Sequence, residues 1–116
     1  MSYTVTNVTD EGSSQYFGVQ YDQVAQALLS GDYTPEPTFY EEDGDTFIED
    51  VTWRDTNDNE VTMTEIIEQA TGDTGVWSTE VAETGEDYIT YITPFNEGGF
   101  TVPVALYFSV TIQEVS

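Results

Sequence analysis

The chain contains no cysteine and no histidine, and its only basic side chain is that of Arg54. Without cysteine there is no disulfide and no thiolate chemistry, so cysteine usage gives no indication of the redox compartment. Without histidine the chain lacks the side chain that most often serves as a general base or metal ligand. Serine and threonine have no histidine or lysine to activate them, and no glycine-rich phosphate loop is present. We therefore expect a non-enzymatic protein that uses no cofactor.

Long apolar runs are also missing. Residues 1–6 contain neither a basic region nor an apolar run, which predicts that the chain has no signal peptide. The longest uncharged stretch, residues 98–113, is too short and too strand-like for a membrane helix. We expect no transmembrane segment, and the sequence leaves a virion and the cytoplasm open as locations.

Acidic residues dominate what is present. There are 23 Asp and Glu against one basic residue, so the net charge is −22. Self-repulsion of this size destabilises a compact state unless it is screened or used. One explanation is life in near-saturated salt, because the Debye length falls to about 3 Å at 1 M. The other is imitation of nucleic acid, since 22 charges correspond to roughly 37 Å of duplex DNA. The sign of the charge argues against direct binding of nucleic acid or of an anionic membrane.

The strongest structural signal is the segment 102–112. Its odd positions are small or polar apart from Tyr107, and its even positions are all large and apolar. This period of two predicts a β-strand with one face in a core and the other toward water or a partner. The even face, which we expect to be buried, consists of Val102, Val104, Leu106, Phe108, Val110 and Ile112.

Weaker patterns predict the other elements. Strands are expected at residues 3–8, 46–54, 76–82 and 88–93, and helices at 21–30 and 63–71. In the strand 46–54, alternation places Phe47, Val51 and Trp53 on one face and Ile48 on the other. The prolines of residues 34–37 predict an extended connector, and Asp43-Gly44 predicts a turn.

The second helix has a well-marked start. Thr62 and Glu65 have the spacing of a capping box, and Gly72 stands where a helix end is expected. The expected apolar stripe consists of Met63, Ile66, Ile67 and Ala70.

The order of these elements predicts one domain over residues 1–116. Strand, helix, strand and helix are followed by three strands, of which the last two form a hairpin. This order favours the α+β class, with a mainly antiparallel sheet and two short helices. A β-sandwich or roll that carries two small helices is the alternative.

One motif invites comparison with a metal site. Asp55, Asn57 and Asn59 stand at positions 1, 3 and 5 of a calcium loop, but Glu60 replaces its glycine and Ile66 its bidentate glutamate. We therefore expect a turn that leads into the second helix and no metal site. These first three residues are the candidate ligands if a hard cation does bind.

Four residues are candidates for contacts with a protein partner. Trp53, Trp77 and Tyr107 are amphipathic aromatic residues, a type enriched at interfaces. A tryptophan flanked by alternating residues is more often part of a core, so both interpretations are open for the two tryptophans. Arg54, the only cation, either anchors an ion-pair cluster or a subunit contact, or it is an incidental surface residue.

Two resemblances to known families follow from the residues. The 23 acids lie in nearly every segment and lysine and cysteine are absent, so the composition resembles small acidic proteins of halophilic archaea or their viruses. A second resemblance covers residues 64–72, Thr-Glu-Ile-Ile-Glu-Gln-Ala-Thr-Gly. This stretch looks like the first helix of the phage uracil-DNA glycosylase inhibitor, a small acidic DNA mimic, and it implies no site residue here.

Together these observations favour a structural or assembly protein adapted to high salt. It would be a virion component, of a capsid or a tail, whose β-faces contact copies of itself or a shell protein. The alternative is an acidic DNA mimic that inhibits a host restriction, repair or CRISPR protein. The distribution of the acids distinguishes the two, because salt adaptation spreads them over all faces whereas a mimic aligns them in two rows.

Overall fold

Two antiparallel sheets and two helices make up the part of the chain that the computed structural model describes, residues 2–96 and 104–115. The strands are β1 (Ser2–Asp10), β2 (Thr34–Glu42), β3 (Asp45–Arg54), β4 (Glu60–Val61), β5 (Glu80–Thr84), β6 (Tyr88–Pro94) and β7 (Ala105–Val115). The helices are α1 (Gly18–Leu29) and α2 (Met63–Thr71), and a short 3-10 turn (Gln15–Phe17) precedes α1. The strand orders are β1-β7-β6-β5 and β2-β3-β4. The expected α+β class with mainly antiparallel pairing is confirmed.

β7 lies in the interior of the four-stranded sheet, between β1 and β6. Its even positions from Val104 to Ile112 are buried, each at most 6% exposed. The predicted facing of this strand is therefore confirmed from position 104 onward. Val102 lies outside the described residues.

One hydrophobic core joins both sheets and both helices. The inner face of β7 packs with residues from β3, β6, α1 and α2, because each of these elements presents one apolar side. The buried apolar residues are Phe17, Val24, Leu28, Ile48, Val51, Trp53, Met63, Ile66, Ile67, Trp77, Ile89, Tyr91, Val104, Leu106, Phe108, Val110 and Ile112.

β3 departs from strict alternation at Glu49, which the pairing with β2 skips. An extra residue of this kind reverses the facing of the side chains on one side of it. Ile48 therefore joins Val51 and Trp53 in the core at 1% exposure, whereas Phe47 is only half-buried. The prediction that placed Phe47 on the core face and Ile48 opposite was wrong, because it assumed an unbroken strand.

The β2–β3 hairpin contains one wrong prediction and one confirmed prediction. Pro35 and Pro37 lie within strand β2 rather than in a connector. β2 is an edge strand that pairs only with β3, and an edge strand tolerates proline because the missing N–H can face away from its partner. The turn at Asp43-Gly44 is confirmed, and both residues have positive φ, 53° and 86°.

α2 has the predicted ends and the predicted buried side. Thr62 Oγ1 accepts from the Glu65 amide at 3.1 Å, and the Thr62 amide donates to Glu65 Oε1 at 3.0 Å. Gly72 ends the helix with φ 79° and donates its N–H to the Glu68 carbonyl. Met63, Ile66 and Ile67 are buried, and Ala70 packs against the core.

Some element bounds differ from the expected ones. α1 begins at Gly18 rather than residue 21, and β5 begins at Glu80 rather than residue 76. Within residues 76–79, which were expected to belong to this strand, only Trp77 forms a β-bridge, to Phe95. Among the described residues, no helix is long and apolar enough to cross a membrane.

Candidate interaction surfaces

Both tryptophans lie in the core. Trp53 is 2% exposed and donates from Nε1 to the Tyr91 hydroxyl oxygen at 2.9 Å. Trp77 is 5% exposed and packs against Phe17 and Phe95, with ring centroids 5.3 and 4.9 Å away. Their selection as residues of a protein-binding surface was wrong, because Trp53 lies on the inner side of β3 and the ring of Trp77 is enclosed by Phe17 and Phe95. The core interpretation is the correct one.

Arg54 pairs with acids of its own chain. Its Nε donates to the carboxylate of Glu36 on β2, and its Nη1 donates to the Asp58 carbonyl at 3.3 Å. The hydrogen bond and the charge of Glu36 raise the pKa of Arg54. Of its expected roles, the ion-pair cluster is thus the one present, and a part in a subunit contact stays a prediction. Such an exposed cluster contributes little to stability.

Asp55 organises the turn between β3 and β4. Its Oδ1 accepts from the amides of Asn57 at 2.9 Å and Asn59 at 3.0 Å. The expected turn into the second helix is therefore confirmed, and its hydrogen bonds are those of an Asx turn. In residues 2–96 and 104–115, no cluster of three or more acidic side chains is arranged to hold a metal ion.

The acidic side chains are spread over the surface of the described chain. None of them is buried, and all are exposed except for Asp55, Glu68 and Asp73, which are half-buried. They occur on both sheets, on both helices and in the turns. Among the described elements, only the 3-10 turn and β6 carry no acid. The charge is thus not confined to one side or one row.

The outer side of β6 and β7 is free of charge, and we call it the uncharged face. It lies opposite the buried side of these strands, and six of its eight residues are half-buried. It consists of Tyr88, Thr90, Ile92, Pro94, Ala105, Tyr107, Ser109 and Thr111. Its two buried members, Thr90 and Ser109, share a hydrogen bond of 2.6 Å between their hydroxyl groups. Glu11 and Glu83 stand at its margin.

Tyr107 is the one aromatic candidate that the structure places on a partly exposed face. It is half-buried and pairs across the sheet with Ile92. Its amide donates to Ser13 Oγ at 2.9 Å, and its carbonyl accepts from the Glu11 amide at 2.8 Å, so the chain that follows β1 fixes this end of β7. Tyr107 and Ile92 therefore form the apolar centre of the uncharged face.

A second surface feature is a cavity of about 340 Å³ between the two sheets, which we call the acidic groove. It lies beside β4 and β5, each of which is an edge strand of its sheet. Its buried lining residues are Val51, Trp53, Met63 and Tyr91. Its exposed acids are Asp50, Glu60, Glu65 and Glu80. The groove thus combines an apolar floor with a negatively charged rim.

Tyr91 presents an unusual hydroxyl at this floor. Burial raises the pKa of Tyr91 well above its usual range, and the charge of Asp50 adds to the increase while the hydrogen bond from Trp53 opposes it. The hydroxyl therefore keeps its proton at any physiological pH. Its oxygen accepts from Trp53, but among the described residues no atom accepts its hydrogen.

The acidic groove and the Trp53–Tyr91 pair were not predicted from the sequence. The groove is lined by four segments, residues 50–53, 60–65, 79–81 and 91, which only the strand pairing brings together. The sequence did indicate that two of these segments, 50–53 and 60–65, lie close together, because only a short turn links Trp53 to the helix cap at Thr62. Nothing in the sequence pattern places residues 79–81 opposite them.

Comparisons with known proteins give no relative. No family model, no curated protein and no solved structure matches the chain. Conclusions about function therefore depend on the residues and surfaces described above.

Proposed function

We propose that this is a non-enzymatic assembly protein adapted to molar salt, which contacts other protein subunits through the uncharged face. The observation that supports this proposal is the contrast between that face and the rest of the surface. Acids occur on all five of the remaining strands, β1 to β5, and on both helices. None belongs to the outer side of β6 and β7. Two molecules of charge −22 approach each other most easily where neither presents a carboxylate.

The spread of the acids supports salt adaptation over DNA mimicry. A mimic needs its carboxylates in two rows that match the two phosphate backbones of a duplex, in which the charges are regularly spaced. Here they occur on both sheets, both helices and the connecting turns. In concentrated salt such charges are screened, since the Debye length is about 3 Å at 1 M.

The chemistry of the uncharged face suits a contact made in such salt. Apolar burial does not weaken as salt screens charges, and some salts strengthen it. Tyr107 and Ile92 supply apolar area, and the hydroxyl of the half-buried Thr111 on the same face supplies a hydrogen-bonding group. We propose copies of this chain, or a shell protein of a virion, as the subunits that this face contacts.

The test is the molar mass of the protein by light scattering in about 3 M potassium chloride, where surface charges are screened. We expect the wild type to form oligomers and Ile92→Glu to be monomeric, because the substitution places a charge at the centre of the uncharged face. Leu29→Glu on α1, at a residue that is 49% exposed, adds the same charge elsewhere and should leave the oligomer intact.

Two outcomes would contradict self-assembly through this face. One is a wild type that remains monomeric at every concentration measured. The other is an equal loss of oligomer in Ile92→Glu and Leu29→Glu, which would show an effect of charge without regard to position.

A further inference from the structure

We propose that the acidic groove binds an extended, basic segment of a different protein, which adds as a strand along the free edge of β5. This surface is separate from the uncharged face, and the proposal does not depend on the proposed function. It combines three features of the groove: open strand edges, an unused hydrogen-bond donor at the floor and unneutralised acids at the rim.

The two sheets leave strand edges open at the groove. β5 pairs only with β6, and β4 pairs only with β3, so each has one side without a strand partner. The sheets are joined nearby, where the Ile48 amide donates to the Gly85 carbonyl at 2.9 Å. Beyond this bond the cavity of about 340 Å³ separates them. An extended peptide can pair with such an edge through its main chain, at the usual strand spacing of about 4.8 Å.

The floor of the groove offers a donor and an apolar contact. The Tyr91 side chain is 4% exposed, and its hydroxyl hydrogen has no acceptor among the described residues. A carbonyl oxygen from a bound segment would accept the hydrogen of this hydroxyl, which is a donor as well as an acceptor. Val81 on β5 is 47% exposed beside it and offers a surface for an apolar side chain.

The rim determines the charge of the occupant. Four exposed carboxylates line the groove, and no basic side chain is among its lining residues. Arg54, the only basic side chain of the protein, is engaged by Glu36. A second copy of this chain therefore cannot supply the positive charges, and the partner must be a different, basic protein. Partly buried ion pairs are screened by salt much less than exposed ones, so the contact is compatible with a saline environment.

The experiment uses the peptide Thr-Arg-Val-Arg-Val-Arg-Thr as the probe. It is added to the intact protein in the lowest potassium chloride concentration that preserves the full circular dichroism. Amide and indole resonances are followed by nuclear magnetic resonance. We expect shifts at residues 80–84 and at the Trp53 indole, and no binding by the peptide with glutamine in place of arginine. Methylating alternate backbone nitrogens of the peptide should abolish binding if its main chain pairs with β5.

A pair of matched variants locates the binding. Asp50→Asn with Glu80→Gln removes two rim charges and should weaken binding by about fivefold or more. Glu42→Gln with Glu114→Gln removes the same charge from exposed positions outside the groove and should leave the affinity unchanged. No binding of the arginine peptide, equal weakening in both double variants, or unchanged binding of the methylated peptide would overturn the proposal.

Discussion

Phe108 is the residue whose removal should damage the core most clearly. Its side chain is fully buried on the inner face of β7, with the Tyr91 ring centroid 5.9 Å away. We predict that Phe108→Ala lowers the free energy of unfolding by about 3–5 kcal/mol, the usual range for a buried phenylalanine. Thr111→Ala, on the uncharged face of the same strand, should lower it by less than about 0.5 kcal/mol. Equal losses in denaturant melts would contradict the facing of β7.

Tyr91 should make the stability of the folded state depend on pH in the alkaline range. Burial raises the pKa of Tyr91 above that of an unfolded tyrosine, about 10. Below pH 10 both states carry the proton, and above it the unfolded state loses its proton first. Stability should therefore be unaffected by this group below pH 10 and should fall as the pH rises further.

The measurement compares the wild type with Tyr91→Phe in denaturant melts at increasing pH. Above pH 10 the free energy of unfolding should fall more steeply in the wild type, by up to about 1.4 kcal/mol per pH unit. Burial also raises the pKa values of Tyr21 and Tyr33, so the variant should keep part of the slope. Identical slopes in the two proteins would mean that Tyr91 is ionised in the folded state as readily as in the unfolded one.

Among the elements, α2 should depend on Thr62, the residue that caps its N-terminus. Thr62 satisfies the Glu65 amide, and its loss would leave that donor without its partner at the helix start. We predict that Thr62→Ala lowers the free energy of unfolding by about 1 kcal/mol, as the loss of a helix cap usually does. Thr74→Ala, at an exposed loop position, is the matched control. A loss no larger than that of the control would show that the capping box does not stabilise the helix.

The elements that were predicted correctly are those in which local chemistry and position in the fold agree. α2 carries its cap, its stripe and its terminal glycine within one short segment, and the sequence of β7 has a large apolar residue at every even position up to Ile112. The failures occurred where the outcome depends on another strand. Pro35 is compatible with a strand only because β2 is an edge, and Ile48 turns inward only because the pairing skips Glu49. Neither fact is visible in the residues themselves.

The two candidate interaction surfaces differ in the same way. The outer side of β7, including Tyr107, follows from the alternation that predicts its buried side. The acidic groove requires β4 and β5 to face each other, and these strands belong to different sheets. A surface built from one strand pair could thus be expected from the sequence, whereas a cavity between two sheets could not.

At the scale of the whole molecule, charge is the dominant property. A net charge of −22 is carried almost entirely by exposed side chains, with Arg54 as the only basic one. An apolar core holds the chain together against this repulsion. The balance between the two should depend on the ions in solution, because screening changes the repulsion and leaves the core contacts in place.

The most direct test of the central claim is therefore far-ultraviolet circular dichroism during dilution from about 3 M to about 0.1 M potassium chloride, without magnesium. The Debye length grows from about 3 Å at 1 M to about 10 Å at 0.1 M, so the repulsion becomes unscreened. For a protein adapted to high salt we predict loss of structure on dilution. Full structure at the lowest salt, together with tight binding to a DNA-processing protein that DNA competes away, would contradict this account and favour a DNA mimic.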